Sequence, residues 1–108
     1  MAEKEELDIL GNIKLIEGYK NYLLSSVADL FMTMGNGSRM DMDEAQEELS
    51  EIIMLSYLLG RKLGMDYSSI DEVLLRRLKL GLAESNDMEK RFQDYSSLIA
   101  YIKKAHME

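Results

Sequence analysis

Proline is absent from all 108 residues, so no position forces a helix to stop or denies it a backbone donor. The seven glycines are scattered, and Leu, Met, Glu, Lys and Ala recur throughout, which favours long helices over sheet. An all-α fold is therefore expected. With 46% hydrophobic residues, the chain has the length and apolar content of a single domain spanning 1–108.

No cysteine is present, which excludes disulfide frameworks, zinc-thiolate sites and thiol nucleophiles, and a cytoplasmic location is expected. Met1 to Leu7 is charged where a signal peptide would be apolar. No stretch approaches the roughly 20 apolar residues of a membrane span, so no membrane partner is expected. Twenty acidic against 13 basic side chains give a net charge of −7, which opposes nucleic-acid binding. A free nucleotide is compatible with this charge if divalent cations bridge its phosphates to protein carboxylates.

After a charged lead-in and capping turn over residues 1–11, Ile13, Ile16, Lys20, Leu23, Val27, Leu30, Phe31 and Met34 recur at helical spacing and predict a helix from near Asn12 to Met34. A second helix is expected from Asp41 or Asp43 to about Leu63, ahead of Gly64. Its middle, Ile52 to Gly60, is apolar around most of its circumference, which predicts burial on two sides and a homodimer, with a tetramer also compatible. Ser69 and Glu72 read as a capping box for a third helix with Ile70, Val73, Leu74 and Leu80 on its apolar face, ending near Glu84. Ser85, Asn86 and Asp87 break the pattern. A last helix from about Met88, or restarted at Asp94, aligns Phe92, Tyr95, Ile99 and Ile102.

Glu44, Glu48 and Glu51 fall at i, i+4 and i+7, within roughly 60° of one another on one helix face. Leu55 and Leu58 continue that side, so the strip fits either a metal site bordering a pocket or a solvated acidic first half favoured by the helix dipole. Asp29 lies away from the first helix's apolar stripe, facing water or a covered second surface. Arg77 falls among apolar positions and reads either as an ion-pair partner of Glu84 or as a phosphate clamp. His106 is the sole histidine and sits close to the terminus, so a histidine triad or multi-histidine metal site is excluded.

The order of Leu15-Ile16-Glu17-Gly18-Tyr19-Lys20, Leu24-Ser25-Ser26-Val27-Ala28-Asp29-Leu30-Phe31, Glu47-Glu48-Leu49-Ser50-Glu51-Ile52, Tyr57-Leu58-Leu59-Gly60-Arg61-Lys62-Leu63-Gly64 and Arg77-Leu78-Lys79-Leu80-Gly81 resembles the short MazG-like family, related to the all-α nucleoside triphosphate pyrophosphohydrolases. The likeness runs from about Asp8 to Ile102. It implies a four-helix bundle completed by dimerisation. It also implies Mg²⁺ or Mn²⁺ held by acids on two helices against a nucleoside triphosphate that is split into monophosphate and pyrophosphate. Carried over position by position, the Glu-x-x-Asp motif falls on Glu48 and Glu51, the catalytic candidates. The Glu-x-x-Glu motif falls on Ser26 and Asp29, so the implied metal set is Ser26, Asp29, Glu48 and Glu51. A basic residue followed four positions later by asparagine falls on Arg77 and Gly81, which keeps the phosphate-binding charge and loses the amide.

Two functions fit this reading. One is a pyrophosphohydrolase-type protein with a depleted magnesium-carboxylate site that hydrolyses or only binds nucleoside triphosphates. The alternative is a catalytically silent, dimeric helical module with an interaction or regulatory role.

Overall fold

The structure, a computed structural model, describes residues 2–84 and 93–107, with side chains described over 10–84 and 93–105. Among these residues four α-helices occur and no strand: α1 (Ala2–Met34), α2 (Met42–Lys62), α3 (Tyr67–Glu84) and α4 (Asp94–Met107). A 3₁₀ turn, Gly37–Arg39, joins α1 to α2. The expected break at Ser85–Asp87, the start at Met88 and the side chain of Phe92 lie outside the described residues. So does the side chain of His106.

The chain divides into two compact units, Met1–Tyr67 and Ser68–Glu108. The first is built on α1 packed along α2. No helix breaker precedes Gly11, and one glycine inside a helix costs only about 1 kcal/mol, so α1 begins at Ala2 and the expected capping turn over residues 8–11 is helical. Its end is tied off by the Gly35 N–H, which donates to the carbonyls of Phe31 (3.0 Å) and Met32 (3.2 Å).

The inward face of α1 differs from the expected stripe. Asn12, Ile16, Tyr19, Leu23, Ser26, Leu30 and Thr33 are buried or half-buried and repeat at alternating steps of four and three. Lys20, Ile13, Phe31 and Met34 lie outside that seam and are exposed, and Lys20 pairs instead with Glu17 at 3.1 Å. The facing seam of α2 is Ala45, Glu48, Ile52, Leu55, Leu59 and Lys62, again at steps of three and four. Polar members at both ends explain why hydrophobicity alone misplaced the α1 face. Asn12 donates from Nδ2 to the Lys62 carbonyl at 3.0 Å, and Thr33 meets Glu48 at the other end.

The ends of α2 follow local chemistry. The Asp41 carboxylate accepts from the backbone N–H groups of Asp43 (3.0 Å) and Glu44 (3.2 Å), an N-cap of the kind that contributes about 1 kcal/mol. At the other end Gly64 adopts φ +99°, the Met65 N–H reaches the Gly60 carbonyl (2.9 Å) and the Gly64 N–H reaches the Arg61 carbonyl (3.1 Å). This pairing is a Schellman closure, which favours glycine at its left-handed position. Just beyond, Tyr67 packs edge-on to Tyr57 with ring centroids 5.9 Å apart, and the Arg61 guanidinium lies 5.6 Å from the Tyr67 ring centre.

The second unit holds α3 beyond its first residue, Tyr67; that start puts Ser69 inside the first turn and removes its expected role as N-cap. Leu78 is buried and Ile70, Asp71, Leu75 and Leu82 are half-buried, whereas Val73, Leu74 and Leu80 are exposed. The inward face is therefore rotated from the expected one, because Val73-Leu74-Leu75 offers apolar residues to several registers and packing selects one. In α4, Ile99 is buried and Ile102 half-buried, as the spacing predicts, while Tyr95 is largely exposed. Gln93 enters α4 at φ 55°, with its carbonyl accepting from the Ser97 N–H at 3.0 Å and the Ser96 hydroxyl at 3.1 Å.

Candidate functional site

The repeat that buries Leu30 and Leu55 also places Glu48 at a core position of α2, where only 8% of the residue is exposed. A carboxylate taken out of water needs a hydrogen-bond donor. Thr33, on the facing seam of α1, supplies it: Oγ1 lies 2.6 Å from Oε1 and 3.1 Å from Oε2 of Glu48.

Around this pair opens a cleft of ≈ 450 Å³ lined by Asp29, Met32, Thr33 and Asn36 from α1 and the turn after it, and by Glu44, Glu47, Glu48 and Glu51 from α2. Two polar strips therefore face each other. Asp29, Thr33 and Asn36 stand at i, i+4 and i+7 on one side; Glu44, Glu48 and Glu51 stand at the same spacing on the other. Of the implied metal set, Asp29, Glu48 and Glu51 line this cleft. Ser26 does not line it; it is buried in the α1 seam, two turns toward the N-terminus from Thr33.

Five carboxylates and no basic residue line the cleft. Carboxylates lining one cleft make its potential negative, which favours a cation over an anion. Its donors are hard oxygens, the type that Mg²⁺ and Mn²⁺ take. Among the described residues, no three acidic or histidine side chains are gathered into a preformed cage. Magnesium sites need none, because they commonly use one or two carboxylates with water and substrate phosphates completing the shell. In donor chemistry, the residues present fit the ion.

Thr33, Asn36 and Glu47 escape a reading based on motif positions. The i, i+4, i+7 match between Asp29-Thr33-Asn36 and Glu44-Glu48-Glu51 was the available signal, and it becomes specific only once the two helices are known to be antiparallel neighbours.

Arg77 is exposed and lines a separate cavity of ≈ 380 Å³ within the second unit, with Leu74, Leu78, Leu80, Gly81, Glu84 and Tyr95. Glu84 shares the cavity wall, but among the described residues Arg77 forms no ion pair with it, so the expected pair is not made and the guanidinium stays exposed. Gly81 is explained by its neighbour. A Cβ at this position would stand 2.8 Å from Cε1 and 3.1 Å from Cζ of Tyr95, so the tyrosine ring occupies the space into which a side chain would project.

A helical chain with an acid-lined cleft between two antiparallel helices is the class these features define. The chain belongs to the MazG-like family, whose sequence model matches residues 9–95. No curated protein and no solved structure matches it. Among the described residues, no helix is long and apolar enough to cross a membrane.

Proposed function

We propose that this protein binds nucleoside triphosphates through a divalent cation held by Asp29, Glu48 and Glu51, in a role of the pyrophosphohydrolase type. The observation that carries this reading is the single cleft lined by five carboxylates from two helices, with Glu48 buried and held by Thr33. Mg²⁺ or Mn²⁺ bound there supplies charge neutralisation and polarisation of a phosphoryl group. Asp29 would hold it from the α1 wall, and Glu48 and Glu51 from the α2 wall, with the second carboxylate oxygen of Glu51 left to serve as a base. Glu51, exposed at the same cleft, accepts the proton of the water that adds to the α-phosphorus as the bond to the β-phosphate oxygen breaks, giving monophosphate and pyrophosphate. Ser26 is a weaker candidate ligand because it lies in the seam and not in the cleft wall. Arg77 is proposed as a phosphate contact on its chemistry alone. The setting is proposed to be cytoplasmic.

Calorimetric titration of a nucleoside triphosphate panel, with and without Mg²⁺, tests the reading, and parallel assay of pyrophosphate separates turnover from binding. Binding in Mg²⁺ that disappears with chelator is the expected result. No binding by any member of the panel in Mg²⁺ sinks the proposal.

We further propose that a second copy of the chain covers the outer faces of α1 and α2. Leu24 and Phe31 share one strip of α1, at 72% and 62% exposure, and Leu49 and Ile53 share one strip of α2, at 47% and 58%. Exposed apolar strips of this kind favour association. Sedimentation equilibrium is expected to give twice the chain mass, or four times for a tetramer, with Phe31→Glu shifting it toward the monomer; a monomer throughout the micromolar range excludes the assembly. The same surfaces support the second reading, a helical interaction module without catalysis, which gains if the nucleotide titration is blank.

A further inference from the structure

We infer that Thr33 is a positioning residue whose hydroxyl fixes the Glu48 carboxylate for divalent-cation binding in the cleft, an inference that rests on the metal-dependent reading above. Position 33 lies outside the motif positions 26, 29, 48 and 51 through which the family resemblance implies a metal site. Thr33 is 5% exposed and Glu48 8%, so the contact is shielded from competing water. The hydroxyl bonds both carboxylate oxygens, more closely Oε1 at 2.6 Å than Oε2 at 3.1 Å, and each oxygen keeps a further lone pair to offer. An O–H···O⁻ bond of this length is of the strong, charge-assisted kind. Threonine in a helix divides between two χ1 rotamers, and the one adopted here aims the hydroxyl at Glu48.

A glutamate has three side-chain torsions, and a ligand free to rotate must be ordered when the ion arrives. Among the described residues, neither ion pair involves Glu48, so no Lys or Arg performs this ordering. Groups that orient a metal ligand from behind typically change metal affinity by about 10- to 100-fold when removed. The effect should therefore appear in ion binding itself, before any nucleotide is added.

The test titrates Mn²⁺ alone into the full chain, following free Mn²⁺ by electron paramagnetic resonance, for the wild type, Thr33→Val, Thr33→Ser and Glu48→Gln, with helicity checked by circular dichroism. Thr33→Val is expected to weaken Mn²⁺ binding about tenfold or more, and Thr33→Ser, which keeps the hydroxyl, to restore most of it. In the Glu48→Gln background, Thr33→Val should add no further loss, because the group it positions is gone. Should valine unfold the chain, Thr33→Ala takes its place. Wild-type affinity in a folded Thr33→Val or Thr33→Ala, or an undiminished loss in the Glu48→Gln background, overturns the role of Thr33 and leaves the metal reading standing. Absence of Mn²⁺ binding by the wild type overturns both.

Discussion

Replacing Glu48 and Glu51 together by glutamine is expected to weaken metal-dependent nucleotide binding by about 100-fold or more while leaving the protein at least as heat-stable as before. The two halves of this result have one cause. Glutamine preserves the shape of glutamate but supplies a neutral oxygen, so two of the five charges that line the cleft are removed without opening a cavity. Loss of two anionic ligands from a hard-cation site weakens the ion directly and, with it, the phosphates that the ion bridges. Each charge removed also relieves repulsion among the remaining acids, and the Thr33 hydroxyl can still donate to a glutamine oxygen at position 48. Calorimetry in Mn²⁺ beside a thermal melt reads both quantities. Retained nucleotide affinity would remove these acids from the site; a large drop in melting temperature would identify them as structural.

Leu55→Ala is expected to act in the opposite way, destabilising the fold by about 2–5 kcal/mol. Leu55 is only 4% exposed, the least of the buried hydrophobic residues, and sits in the middle of the α2 seam against α1. Its removal forfeits the transfer free energy of the side chain and leaves a void that two packed helices close only in part. The midpoint of thermal unfolding should fall by roughly 10 °C or more. Leu80→Ala is the internal control, because Leu80 is 56% exposed and should change the midpoint little. Equal effects at the two positions would contradict the assignment of the seam.

Helix content and most helix ends were legible because they depend on neighbours in sequence. Absence of proline, the Asp41 cap and the Gly64 closure each act over four or five residues. Which face turns inward was legible only in part. On α1 the apolar pattern points to Ile13, Phe31 and Met34, yet the seam takes Asn12, Ser26 and Thr33; Asn12 and Thr33 are admitted at its ends because Lys62 and Glu48 on α2 satisfy them. On α3 three consecutive apolar residues leave the register open.

Residue order by itself determined that the chain is helical, where α2 begins and ends, and that Glu44, Glu48 and Glu51 share one helix face. It also carried the family resemblance that the match over residues 9–95 bears out. Only the tertiary structure decided that Glu48 is buried while Glu44 and Glu51 stay exposed, that Thr33 is its partner, and that Asp29 faces the same cleft while Ser26 is enclosed in the seam. The reason is physical: spacing along a helix sets direction, but burial and hydrogen-bond partnership depend on the helix lying opposite.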